Sequence, residues 1–228
     1  MRLLDFIPDK LMLSLQYRIK IGRKLNWKNP QRFSEKLQLY KIWAKSHPEM
    51  NRCVDKFDVR NYVREKGLGD ILIPLATAEK AFSDFSEIDW NSLPQKFVIK
   101  DTLGGGGNSV IVCKDKKLLD IQAIKKLCSE WVRFKGKHPG RECVYDGRPH
   151  RIIIETFLES DTPDLGLVDY KFFCFNGEVK YLYVITNRTL GVGQNLEFMM
   201  IIIIYCLITE PMNYLWFIML LNPKILQI

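Results

Sequence analysis

The run FVIKDTLGGGGNSVIV, from Phe97 to Val112, places a lysine and four consecutive glycines between two apolar stretches. Lys100 ends the first stretch. Gly104, Gly105, Gly106, Gly107 and Asn108 form the turn from which Val110-Ile111-Val112 departs. Backbone without side chains can curl until several N–H groups point at one anion, and a lysine at the base of the turn adds positive charge. Phosphate binding is the chemistry this arrangement suits.

The order of these residues excludes three common phosphate motifs. A Walker A loop needs Gly-Lys-Ser/Thr after its glycines, whereas Gly107 is followed by Asn108-Ser109. A dinucleotide fingerprint opens a helix, but here a Val-Ile-Val run follows. A protein kinase places its glycine loop before the lysine and carries His-Arg-Asp and Asp-Phe-Gly elements that this sequence lacks. A second chemical signal is Glu155, which interrupts the apolar run RIIIETFLE (Arg151 to Glu159). An acid in such a run needs a partner or a task.

The elements that position these residues are legible from periodicity. Residues 1 to 28 pattern as a basic amphipathic helix, with Leu11, Leu15 and Arg18 to Ile21 at helical spacing. It suits packing on the domain behind it or lying on anionic lipid. Asn29-Pro30 reads as a helix start, and Phe33, Leu37, Tyr40 and Ala44 as its one buried face. A further helix begins near Cys53 and stops at Gly67, with Val59, Tyr62 and Val63 inward. DILIPLATA (Asp70 to Ala78) reads as a short buried strand, and Ser83 to Pro94 as a polar link between lobes. A helix is expected from Leu118 to Phe134, facing inward with Ile124, Leu127, Cys128 and Trp131, followed by a turn-rich loop from Lys135 to Pro149. DYKFFCF and EVKYLYVIT flank Asn176-Gly177, a tight-hairpin signature, with Lys171 and Lys180 at alternate-face positions. Interleaved helices and strands make the fold class α+β.

Composition narrows the partners. The chain has 228 residues, enough for a real core, and 34 Lys plus Arg against 26 Asp plus Glu give a net charge of +8 that favours anionic partners. Nucleic acid is not expected, because the charges form no basic stripe and no RNA-binding or zinc-finger signature is present. The six cysteines include no Cys-x-x-Cys pair, which reads as reduced, buried thiols of a cytoplasmic protein. Asp5, Pro8 and Asp9 spoil any signal peptide.

Taken in order, NPQRFSEKLQLYK (Asn29 to Lys41), VDKFDVRNYV (Val54 to Val63), FVIKDTLGGGGN (Phe97 to Asn108), IIIETFLE (Ile152 to Glu159) and DYKFFCFNGE (Asp169 to Glu178) resemble the ATP-grasp proteins of the teichuronopeptide-biosynthesis type. The resemblance covers residues 5 to 198. It implies a cleft between lobes that holds ATP with Mg²⁺. Lys56 matches the first nucleotide lysine, on the α-phosphate side, and Lys100 a second phosphate contact. Gly104 to Gly107 with Asn108 would form a flap over the triphosphate. Glu155 to Leu158 matches the hinge strand that reads adenine, with Glu155 or Glu159 accepting from an amino or ribose group. Asp169 and Lys171 match the following strand, Lys171 reaching for the γ-phosphate, and Arg188 would bind an acidic substrate or an acyl phosphate. The implied function is a ligase of cell-surface polysaccharide biosynthesis that activates the carboxylate of an acidic saccharide or amino acid for amide formation.

The implied organisation is an N-terminal helical and α/β lobe (1–93), a flap lobe with its hinge strand (94–159), the start of a C-terminal lobe (160–198) and an apolar tail (199–228). From Met199 to Leu221 the chain is nearly all apolar and close to the roughly 20 residues of a membrane span, although Glu210 and Pro211 lie near its middle. Metal ligands are expected in that part of the family pattern, and Glu210 is its one acid, so the C-terminal lobe reads as incomplete and the metal ligands are unassigned. A frameshifted or truncated gene and a membrane anchor both account for the tail. The location expected is cytoplasmic or peripheral at the inner face of the membrane, through the basic N-terminal helix or the tail. The alternatives are a glycosyltransferase using a nucleotide sugar, for which Asp161 and Asp164 are spaced too widely for an Asp-x-Asp metal motif, and an inactive ATP-binding remnant.

Overall fold

The computed structural model of the chain describes residues 4–105, 107, 109–160 and 167–186, and the backbone of strands at 198–202, 216–217 and 220–221. Gly106, Asn108, Asp161, Asp164, Arg188, Cys206 and Glu210 lie outside the described residues.

The amino-terminal part is helical. Helix α1 (Asp9–Ile21) ends at Gly22, whose φ of 74° lets its N–H bond the Arg18 carbonyl. Its Met12, Leu13 and Tyr17 are buried, while Leu11 and Leu15 are exposed. Helix α2 (Phe33–Ala44) starts later than Asn29-Pro30. Buried Glu35 sets its entry by accepting from the Gln31 and Arg32 amides at 2.9 and 3.0 Å, while Asn29 belongs to a turn gathered by the Asn26 side chain. Phe33 is therefore exposed although Ala44 is buried. The single helix expected from Cys53 is two, α3 (Pro48–Val54) and α4 (Asp58–Glu65), separated at Asp55.

Around the glycine turn lies a small antiparallel sheet. Strands β1 (Phe97–Asp101), β2 (Val110–Cys113) and β3 (Ile152–Thr156) take the order β2-β1-β3. One face carries Phe97, Ile99, Cys113, Ile152 and Ile154, and packs on Ile124 and Cys128 of helix α5 (Ile121–Arg133). Leu127, expected inside, is exposed. The segment before β1 is less of a link than its polarity suggests: Phe85, Ile88 and Leu93 are buried in the same core. DILIPLATA forms no regular strand but runs along the free edge of β3, with the Thr156 amide donating to the Pro74 carbonyl and the Ala76 amide to the Ile154 carbonyl. Pro74 can accept but cannot donate, which breaks the ladder.

A second antiparallel sheet contains β4 (Asp169–Phe175), β5 (Glu178–Thr186), β6 (Phe198–Ile202), β7 (Trp216–Phe217) and β8 (Leu220–Leu221). Its β4–β5 hairpin turns at Asn176 and Gly177, both at positive φ, as an Asn-Gly pair favours. Phe172, Leu182 and Val184 form its own buried cluster. Strand β6 runs through the position at 198–199 where the composition turns apolar. Among the described residues no helix is long and apolar enough to cross a membrane. The α+β class holds.

Candidate functional site

The face of β2-β1-β3 opposite the core is where the predicted residues gather. Register sets this: Val98 lies opposite Val112 and Glu155, and Lys100 opposite Val110 and Ile153, so all six point to one side. Lys100 and Glu155 are diagonal neighbours on that face, and the Lys100 ammonium donates to Glu155 Oε2. The partner that an acid in an apolar strand requires is thus the lysine beneath the glycine turn.

Lys56 reaches the same place from another element. Buried Asp55 accepts from the Phe57 and Asp58 amides at 2.8 and 3.0 Å and so organises the start of α4. Arg151, just before β3, holds that start against the sheet through Asp55 at 3.0 Å and Asp58 at 2.7 Å. The Lys56 amide completes the junction by donating to the Thr102 carbonyl at 2.9 Å. The side chain then extends under the turn, donating to the carbonyls of Asp101 at 3.0 Å, Thr102 at 3.3 Å and Gly104 at 2.5 Å. Burial pushes its amine below the usual lysine range; the nearby Lys100 charge adds to the fall, and Asp101 opposes it. Asp55 moves the other way from what burial alone would do, because the Asp58 amide and Arg151 hold its carboxyl below the ordinary value.

The turn itself is braced from below. Asp101 is buried, accepts from the Leu103 amide at 3.0 Å and lies 2.7 Å from His150 Nδ1. A Cβ on Gly104 would come within 2.4 Å of the Ser109 Cβ, so the two arms of the turn approach as only glycine permits. Gly107 has a φ of 78°. Beside Gly105 there is open space. Two lysines, a closely folded glycine turn and an apolar patch of Val98, Val110 and Val112 form a cradle whose chemistry suits a phosphorylated ligand carrying a flat apolar ring.

The other predicted residues fall into separate contacts. Glu159 pairs with Lys96 on an exposed edge, and Leu158 follows β3 half-buried. Lys171 lies 2.7 Å from Asp169 on β4 of the second sheet. Asp55, Asp58, Asp101, His150 and Arg151 were not anticipated, although Asp55 and Asp58, flanking Lys56-Phe57, form a capping pattern that could have flagged the first two.

Comparison with protein families then decides the identity. The model for TupA-like ATP-grasp proteins matches residues 35–197, most of the chain. The chain belongs to the TupA-like ATP-grasp family. Searches of curated proteins and of solved structures return no match. ATP binding is the property the family suggests, and Lys56 and Lys100 are the two cations that the structure brings together beneath the glycine turn. The described residues do not provide a fitting place for Mg²⁺. Asp9, Cys143 and Asp146 can bring three ligand atoms together. Asp9 is matched by Lys137 at 2.8 Å and Asp146 by Lys45 at 3.6 Å, and burial pushes the Cys143 thiol up to about 11. A protonated thiol is a poor ligand for a hard cation, and each acid already has a lysine beside it.

Proposed function

We propose that this protein binds ATP between Lys56, Lys100 and the glycine turn, and uses it to activate a carboxylate for amide formation in cell-surface polysaccharide biosynthesis. The observation that carries the reading is the convergence of Lys56 and Lys100, from different elements, beneath one glycine turn. Both ammonium groups are held by oxygen atoms that a triphosphate can replace: three carbonyls for Lys56 and the Glu155 carboxylate for Lys100. On this reading Gly104 to Gly107 and Asn108 close as a flap. Val98, Val110 and Val112 lie against the adenine, and Glu155, Leu158 and Glu159 line its polar edge. Lys171, oriented by Asp169, meets the γ-phosphate, and Arg188 holds the acidic saccharide or amino-acid substrate.

The reaction follows from those roles. A carboxylate oxygen of the acceptor attacks the γ-phosphorus, ADP leaves, and an amine then displaces phosphate from the acyl phosphate to form the amide. The setting proposed is the cytoplasm or the inner face of the membrane.

A thermal-shift series on the full chain separates this from a nucleotide-sugar enzyme. ATP with Mg²⁺ is expected to raise the melting temperature more than uridine or thymidine diphosphate sugars do. A larger shift with a nucleotide sugar overturns the ATP reading.

A further inference from the structure

Helix α1 buries one face and leaves a second apolar face in solvent. Leu13 and Tyr17 point into the protein, whereas Leu11, Leu15 and Ile19, spaced by four residues along the opposite side, are 61%, 51% and 72% exposed. Phe6, just before the helix, is 81% exposed. A strip of this kind on a soluble surface marks something that is meant to be covered.

The charges around the strip indicate what covers it. Asp5 and Asp9, the acids of this segment, turn inward: Asp9 pairs with Lys137, and Asp5 accepts from the Lys137 amide at 3.2 Å. Lys10, Arg18, Lys20, Arg23 and Lys24 are exposed. Beside the strip a groove of about 380 Å³ is lined by Ser14, Arg18, Lys24, Leu25 and Trp27. The Trp27 indole donates to Ser14 Oγ at 2.8 Å, which fixes an amphipathic ring at the groove wall. Apolar side chains projecting beyond basic ones, with an indole at the boundary and the acids withdrawn, are complementary to a layer that is negative outside and apolar beneath.

We propose that this face docks the protein on an anionic lipid surface. Leu11, Leu15 and Ile19 enter the acyl boundary, and Arg18 and Lys24 meet headgroup phosphates at the groove. The inference does not rest on ATP binding.

Co-sedimentation of the full chain with vesicles tests it, using phosphatidylcholine alone and phosphatidylcholine mixed with phosphatidylglycerol. Binding is expected to the mixed vesicles and not to the neutral ones, and to weaken with added salt. Leu11→Gln/Leu15→Gln/Ile19→Gln is expected to reduce binding to the neutral-vesicle level. Arg18→Gln/Lys24→Gln is expected to weaken it about 25-fold, at about fivefold for each basic residue near the surface. All five side chains are exposed, and unchanged thermal melting confirms that the variants are folded. Equal binding to both vesicle types, no binding to either, or unaltered binding by the triple variant overturns the proposal. Self-association that the triple variant abolishes, without vesicle binding, assigns the strip to a second copy of the chain and overturns it as well.

Discussion

On the proposed reading, Lys56 links the electrostatics of the cradle to ATP. Burial lowers its pKa from the ordinary 10.5, and Lys100 adds to the effect while Asp101 resists it. A bound triphosphate favours the ammonium form, so binding raises the pKa. Affinity for ATP is therefore full below the depressed pKa of the free protein and falls as pH rises through it, inside a range where a solvated lysine would still be charged. Lys56→Arg keeps its charge throughout, because a guanidinium does not titrate there. Calorimetric titration with ATP across the alkaline range below 10.5 should show a decline for the parent chain and a flat profile for Lys56→Arg. Parallel profiles would remove Lys56 from the phosphate site. The ion pair between Lys100 and Glu155 belongs to the same scale: a sequence reader can see that Glu155 needs a partner, but its identity depends on strand register.

The glycine turn is the element on which the site depends. Its geometry makes a specific demand at Gly104, where a Cβ would meet Ser109 Cβ at 2.4 Å and Oγ at 2.9 Å. Gly104→Ala should destabilise the protein by about 1–3 kcal/mol, the usual range for overpacking, and weaken ATP binding as the arms of the turn spread. Ser109→Gly removes both close contacts and leaves the Asp101 Cβ at 3.1 Å, so the double variant should recover most of the loss. Urea unfolding of the single and double variants measures this; equal destabilisation in both would show that the arms do not pack as described. The pairing of its two arms was legible because apolar runs flank the glycines on both sides, which is the pattern of a hairpin. The helices were less so. Phe33 and Leu127 match the helical period but lie on exposed faces, since periodicity gives a stripe without saying which neighbour covers it. Asp55 and Arg151, distant in sequence, fasten Lys56 in place, and local pattern does not reveal long-range ion pairs of this kind.

On the scale of the molecule, one sheet has two uses. Its core face, with Phe97, Ile99, Ile152 and Ile154 buried against α5, gives rigidity, and its other face presents Lys100, Glu155 and the valines. Alternation along β1 is what assigns residues to these two uses, and the pattern is visible in FVIKD. The polar segment Ser83 to Pro94 misleads because Phe85, Ile88 and Leu93 are few but all buried. The loop Lys135 to Pro149 likewise has structural weight despite its composition: Lys137 and Arg141 reach residues of the amino-terminal segment, and Lys41 donates to the Gly140 carbonyl at 2.8 Å. The central claim is that Lys56 and Lys100 grip one nucleotide. Its most direct test is calorimetric titration of ATP into the full chain, Lys56→Met and Lys100→Met, with circular dichroism to confirm folding. Losing a charge-assisted hydrogen bond of about 1.5–3 kcal/mol should weaken ATP binding roughly 10- to 150-fold in each folded variant. ATP affinity equal to that of the parent in both folded variants, or no measurable ATP binding by the parent itself, would contradict it.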